Sequence, residues 1–112
     1  MKPSEILIGA RGLLANFDSW GKGYYAFNKS QDMREVGDSD ATCFCMIGAL
    51  AKAAGSFTGV GGYEQSEHPE IEYLAKVVGE HVPNYNDHPD RTHAEVLTAF
   101  DKAIQLAQAD GQ

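Results

Sequence analysis

Apolar residues recur at helical spacing in four stretches of the chain and alternate in a fifth. Ile6, Leu7, Ala10, Leu13, Leu14 and Phe17 follow the i, i+3/i+4, i+7 rhythm that lines one helix face. A helix is therefore expected over residues 3–17, with Pro3 in its first turn and Ser4 or a neighbour as its cap. Gly9 and Gly12 weaken it by roughly 1 kcal/mol each relative to Ala, and such positions can instead let another element approach closely. Phe44, Ile47, Gly48, Ala51 and Ala54 share a second face. With Ser39 or Asp40 to cap and Gly55 to stop, they predict a helix over 39–54. A third is expected over 69–80, with Pro69, Glu70 and Glu72 at its start and Ile71, Leu74, Ala75 and Val78 as its stripe. The clearest period, Val96, Leu97, Phe100, Ala103, Ile104 and Ala107, predicts a fourth over 92–108, beyond which the tail should fray.

Between the first two helices the rhythm changes. In WGKGYYAFNKSQDMREVG, residues 20–37, Tyr25 and Phe27 alternate with Tyr24 and Ala26, as in a short strand. Met33 to Val36 can pair with it through a loop near 28–32. Residues 56–66 read as a turn-rich connection. Gly59, Gly61 and Gly62 match neither a phosphate-cradling loop nor a dinucleotide fingerprint, so no cofactor is expected. The fold class expected is α+β: about four helices around one core, with a short two-stranded β-hairpin between helices 1 and 2.

The length of 112 residues suits a single domain, 1–112. Nine basic residues against sixteen acidic ones give a formal charge of −7. That balance argues against nucleic-acid binding, which draws affinity from neutralised phosphates, and suits a protein partner with a basic surface. Nothing in it names that partner or an oligomeric state. No stretch approaches the ~20 apolar residues that cross a bilayer, so no membrane association is expected. The opening MKPSEILIGARGLLANF lacks the apolar run of a secretory signal. A cytoplasmic location follows as the expectation, with Cys43 and Cys45 as reduced thiols.

Candidate chemistry concentrates in NYNDHPDRTHAEV, residues 84–96. One reading is structural. Thr92 and Glu95 have capping-box spacing. Asn86-Asp87-His88-Pro89 is turn chemistry, and Arg91 lies within reach of Asp87 or of loop carbonyls. The other reading is catalytic. Cys45, in the first turns of the second helix, would be the nucleophile of a hydrolase or transferase, His93 its base, and Asp87 or Asn86 the orienting group. Against it, cysteine most often behaves as a small buried hydrophobe. A third reading gives Arg91 and the Asn86-Asp87 loop a small anionic ligand. No metal site is expected: Cys43 and Cys45 diverge on a helix, and His68, His81, His88 and His93 lack metal-ligand spacing. Trp20 suits a core plug at a corner, whereas Tyr24, Tyr25 and Phe27 can leave an exposed aromatic strip, and aromatics anchor interfaces.

Three blocks carry a resemblance: Trp20-x-Lys-Gly-x-Tyr-Ala, Cys45-x-x-Gly-Ala-Leu, and Asn86-Asp-x-Pro-x-Arg-Thr-x-x-Glu-Val-Leu. In these the chain resembles a family of small uncharacterised bacterial and phage proteins, a domain of unknown function. That family commonly has Trp where this chain has Phe44 and Tyr85. The resemblance implies a phage or prophage origin and supplies no activity, ligand or catalytic residue. It suggests that Cys45, Gly48 and residues 86–92 meet in space. The function expected is that of a small acidic interaction domain, binding a protein through Trp20, Tyr24, Tyr25, Asn86, Asp87 and Arg91. If phage-encoded, it would bind and modulate a host protein.

Overall fold

Helix ends fall where side-chain and backbone chemistry put them. In the computed structural model, which describes residues 1–56, 63–64 and 68–112, α1 spans Pro3–Leu13. Pro3 fills its first turn, and the Glu5 carboxylate accepts from the Lys2 backbone N–H at 2.7 Å. Ile6, Leu7, Ala10 and Leu14 are buried. The stripe stops there. Asn16 is extended, so the chain leaves the helical phase, and Phe17 stands 71% exposed in a 3-10 turn, Phe17–Ser19. The expected helix is therefore shorter, and Phe17 lies outside its buried face.

A two-stranded antiparallel sheet sits between the first two helices, as expected, but with a different second strand. β1, Ala26–Phe27, pairs with β2, Cys43–Phe44, Ala26 opposite Phe44 and Phe27 opposite Cys43. Residues 33–36 supply only an isolated bridge from Met33 to Phe27. Burial favours the second partner: Cys43 and Phe44 are both buried, whereas in 33–36 only Val36 is, and Met33 is 63% exposed. The pairing holds residues 43–44 extended, so α2 spans only Met46–Ala54. Cys45 is its N-cap; Asp40, expected as a cap, pairs with Arg34 at 3.0 Å. Gly55, at φ +79°, ends α2 as its sequence position predicts.

Pro69 opens α3, Pro69–Val78, and Gly79 closes it in the left-handed region, two residues before the expected end. A short helix follows that the sequence pattern does not announce: α4, Val82–Asp87, with Pro83 in its first turn. Asn86 and Asp87, read as turn residues, are its last two. The capping box at the next helix is present as its spacing predicts. The Glu95 N–H donates to the Thr92 hydroxyl at 3.2 Å, and the Thr92 N–H to the Glu95 carboxylate at 2.9 Å. α5 runs His93–Ala109, and just beyond it Asp110 accepts from the Tyr73 hydroxyl at 2.7 Å. One apolar core joins α1, α2, α3 and α5 around Leu7, Leu14, Met46, Leu50, Leu74, Val96 and Phe100. Gly9 does admit a neighbour: a Cβ there would lie 3.2 Å from the Ala53 Cβ on α2, while at Gly12 it would meet nothing. The connection expected over 56–66 lies mostly outside the described residues; Tyr63, within it, is buried.

Candidate functional site

α4 carries one residue that ties three distant stretches together. Asn86 is 1% exposed. Its side-chain oxygen accepts from the Trp20 indole N–H at 2.8 Å and from the Met46 backbone N–H, at the start of α2, at 3.0 Å. Its amide nitrogen donates to the Gly21 carbonyl at 3.1 Å and to the Asp87 carboxylate at 2.9 Å. Both lone pairs and both protons are thereby used. The same Asp87 oxygen accepts from the Gly23 N–H at 3.0 Å. The Lys22 ammonium donates to the His88 and Pro89 carbonyls at 2.7 and 3.2 Å, a cation at the negative end of α4. Residues 20–23 are thus stitched to 86–89.

The second block enters through Cys45 and Gly48. The Cys45 N–H donates to the Tyr25 carbonyl at 3.2 Å. At Gly48 a Cβ would fall 1.9 Å from that same carbonyl oxygen, so only glycine lets α2 reach β1. The Cys45 sulfur accepts from the Gly48 N–H at 3.3 Å. Cys45, Gly48 and Asn86 do meet, and the three sequence blocks converge on this hub.

Beside the hub lies a cavity of about 330 Å³, whose walls include Tyr24, Tyr25, Cys45, Glu64, Pro83 and Asp87. The Tyr25 hydroxyl donates to Glu64 at 2.5 Å, and the His81 Nε2 stands 3.3 Å from the other Glu64 oxygen. That hydrogen bond to Glu64, then burial, then repulsion between phenolate and carboxylate push the Tyr25 pKa up to about 12. Burial pushes the Cys45 thiol up to about 12 as well, against the pull of the Gly48 and Ile47 amides. At neutral pH the cavity therefore presents a phenol and a thiol in their protonated forms.

Other predicted site residues lie elsewhere. Arg91 does not pair with Asp87, whose carboxylate is held by Gly23 and Asn86 at the end of α4. It takes the alternative carbonyl partner. Its Nε donates to the Tyr85 carbonyl at 2.9 Å, its guanidinium carbon lies 3.4 Å from the Tyr85 ring centre, and it reaches Glu95 at 3.3 Å. His93 Nε2 donates to the Leu14 carbonyl at 2.6 Å, and its ring packs near Phe17 and Trp20. Among the described residues no hydrogen bond joins His93 to Cys45 or Asp87. Trp20 is half-buried with its N–H used in the hub, and Tyr24, 37% exposed, stands at the cavity rim. Glu64 went unnoticed in the sequence because it sits in a stretch read as a connection, and no local pattern marks it. No group of three or more metal-ligating side chains is gathered among the described residues, and no helix there is long and apolar enough to cross a membrane.

A model of a family of unknown function (DUF6197) matches residues 1–106. No curated protein matches the chain, and no solved structure does.

Proposed function

The chain belongs to that family of unknown function, and from that premise we propose a small, acidic, non-enzymatic interaction domain that holds a protein partner at the cleft between residues 23–25, just before β1, and α4. One observation carries the reading. The groups that could do chemistry there are already occupied: Asn86 by four hydrogen bonds, Cys45 by burial and the Gly48 amide, Tyr25 by Glu64. What stays open is a rim of Tyr24 and Asp87, suited to contact. For a phage-encoded chain the partner would be a host protein that the domain modulates.

The hydrolase alternative, with Cys45, His93 and Asp87, draws less support, because His93 is turned to the Leu14 carbonyl. An anionic ligand at residues 86–91 would have to compete for an Arg91 already spread over Tyr85 and Glu95. Selection from a displayed random-peptide library tests the proposal. The expected result is a recurrent peptide motif whose binding is lost in Tyr24→Ala at unchanged melting temperature. Enrichment no better than for an unrelated acidic domain overturns it. Turnover of a fluorogenic ester by the native chain but not by Cys45→Ser would put the hydrolase first.

A further inference from the structure

The cleft is acidic within. Glu64 and Asp87 both line it, and among the described lining residues there is neither Lys nor Arg. Two cations of neighbouring segments are engaged elsewhere, Lys22 on the His88 and Pro89 carbonyls and Arg91 on Tyr85 and Glu95. Asp87 uses one oxygen for the Gly23 and Asn86 hydrogen bonds, and its other oxygen accepts none among the described residues. The Glu64 side chain is 17% exposed, and the His81 imidazole, 60% exposed, stands beside it.

The walls are as informative as the charges. The Tyr24 and Tyr25 rings lie 5.5 Å apart at 46°, an aromatic corner whose faces attract a cation. Ile47, Pro83 and the protonated Cys45 thiol supply an apolar surface for a methylene stem. A cavity of about 330 Å³ is at the small end for ligand sites, the scale of one side-chain head. The chain's charge of −7 draws basic partners towards it.

We infer that this cleft seats the cationic head of a lysine or arginine side chain from the protein partner, between the Tyr24 and Tyr25 rings and the Glu64 and Asp87 carboxylates. The inference rests on the interaction-domain reading and gives its partner a chemistry. Asp87 lies on the exposed rim, so the ammonium or guanidinium keeps part of its hydration while the carboxylates and rings replace the rest.

Amide NMR of the full chain, titrated with butylammonium and ethylguanidinium, tests it, with butanol as the neutral control. Saturable shifts are expected at Gly23, Tyr25 and Asp87 for the two cations alone. Glu64→Gln, which keeps an acceptor for the Tyr25 hydroxyl, should weaken them at least tenfold. His81→Lys changes an exposed position and plants an ammonium beside Glu64, so it should compete and abolish them in a chain that still folds. A peptide from the library selection should lose at least tenfold in affinity when its Lys is acetylated or its Arg replaced by citrulline. Equal binding of the neutralised peptide overturns the cation inference and leaves the interaction domain standing. Failure of every peptide and both cations overturns both.

Discussion

Gly48 leaves no room for a side chain, and that contact sets the distance between α2 and β1. The atom that an alanine would meet at 1.9 Å is a backbone oxygen, with its carbonyl carbon at 2.8 Å, so no rotamer change relieves the clash. Gly48→Ala should cost about 3 kcal/mol, the upper range for overpacking. Gly12→Ala, in open space on α1, should stabilise by up to about 1 kcal/mol. Urea midpoints of the two variants should move in opposite directions; equal midpoints would mean that α2 and β1 are further apart. The same scale decides Cys45. With burial holding its thiol up at about 12, iodoacetamide near pH 7 should label Cys45 far more slowly than free cysteine, in a Cys43→Ser background. Labelling faster than free cysteine, and lost in His93→Ala, would turn the reading towards a catalytic thiol.

At the scale of the element, α5 begins where Thr92 and Glu95 exchange hydrogen bonds. Thr92→Ala should cost about 1 kcal/mol. The Thr92 amide and hydroxyl, and then Arg91, hold the Glu95 carboxyl below its ordinary value of 4.5. A depressed carboxylate stabilises the fold above its unfolded-state pKa, and that contribution is lost as pH falls through its folded-state pKa. Stability of the native chain should therefore drop more than that of Glu95→Gln on acidification below about pH 4.5; parallel pH profiles would remove the box from the balance. In double-mutant cycles, Arg91 should show no coupling to Asp87 and a weak, salt-sensitive one to Glu95, an i, i+4 pair. These elements also show what was legible in the sequence. α3 and α5 were, because Pro69, Thr92 and Glu95 act within a turn or two of themselves. β2 was not, because what pairs it with β1 is burial against residues far along the chain. α4 was missed because six residues are too few to establish a period, and its polar end imitates a turn. The Arg91–Asp87 pairing failed for the same reason: with 82–87 helical, Asp87 faces Gly23 and the Tyr85 carbonyl takes the guanidinium.

For the whole molecule, the α+β class and the single core were readable from hydrophobic rhythm, since each stripe needs a facing surface. The cleft was not readable. Its carboxylates come from α4 and from a stretch without periodicity, and only the tertiary fold brings Glu64 to Tyr25. The three sequence blocks pointed to a meeting place without saying that an asparagine amide is its centre. Replacing that amide should be felt throughout. Asn86→Ala leaves the Trp20 indole N–H, the Met46 N–H and the Gly21 carbonyl without their partner. At 1–3 kcal/mol for each orphaned buried group, with water relieving part of it, a loss of about 4 kcal/mol is expected in urea unfolding. A loss below about 1 kcal/mol would mean that the hub is incidental to stability.

The Asn86 hydrogen bond to Trp20 joins residues 66 positions apart, and that to Met46 joins residues 40 apart. Closing a loop of the longer span costs about 3.7 kcal/mol of chain entropy before a single hydrogen bond is gained. Helix α5, by contrast, can start from its own cap. The tie is therefore expected to form on the late, downhill side of the folding barrier. In stopped-flow measurements Asn86→Ala should raise the unfolding rate by nearly its whole equilibrium cost and leave the refolding rate within about twofold. The amide that joins Trp20, Gly21 and Met46 would then act as a latch: it governs how long the folded chain lasts, with little say in how fast it forms.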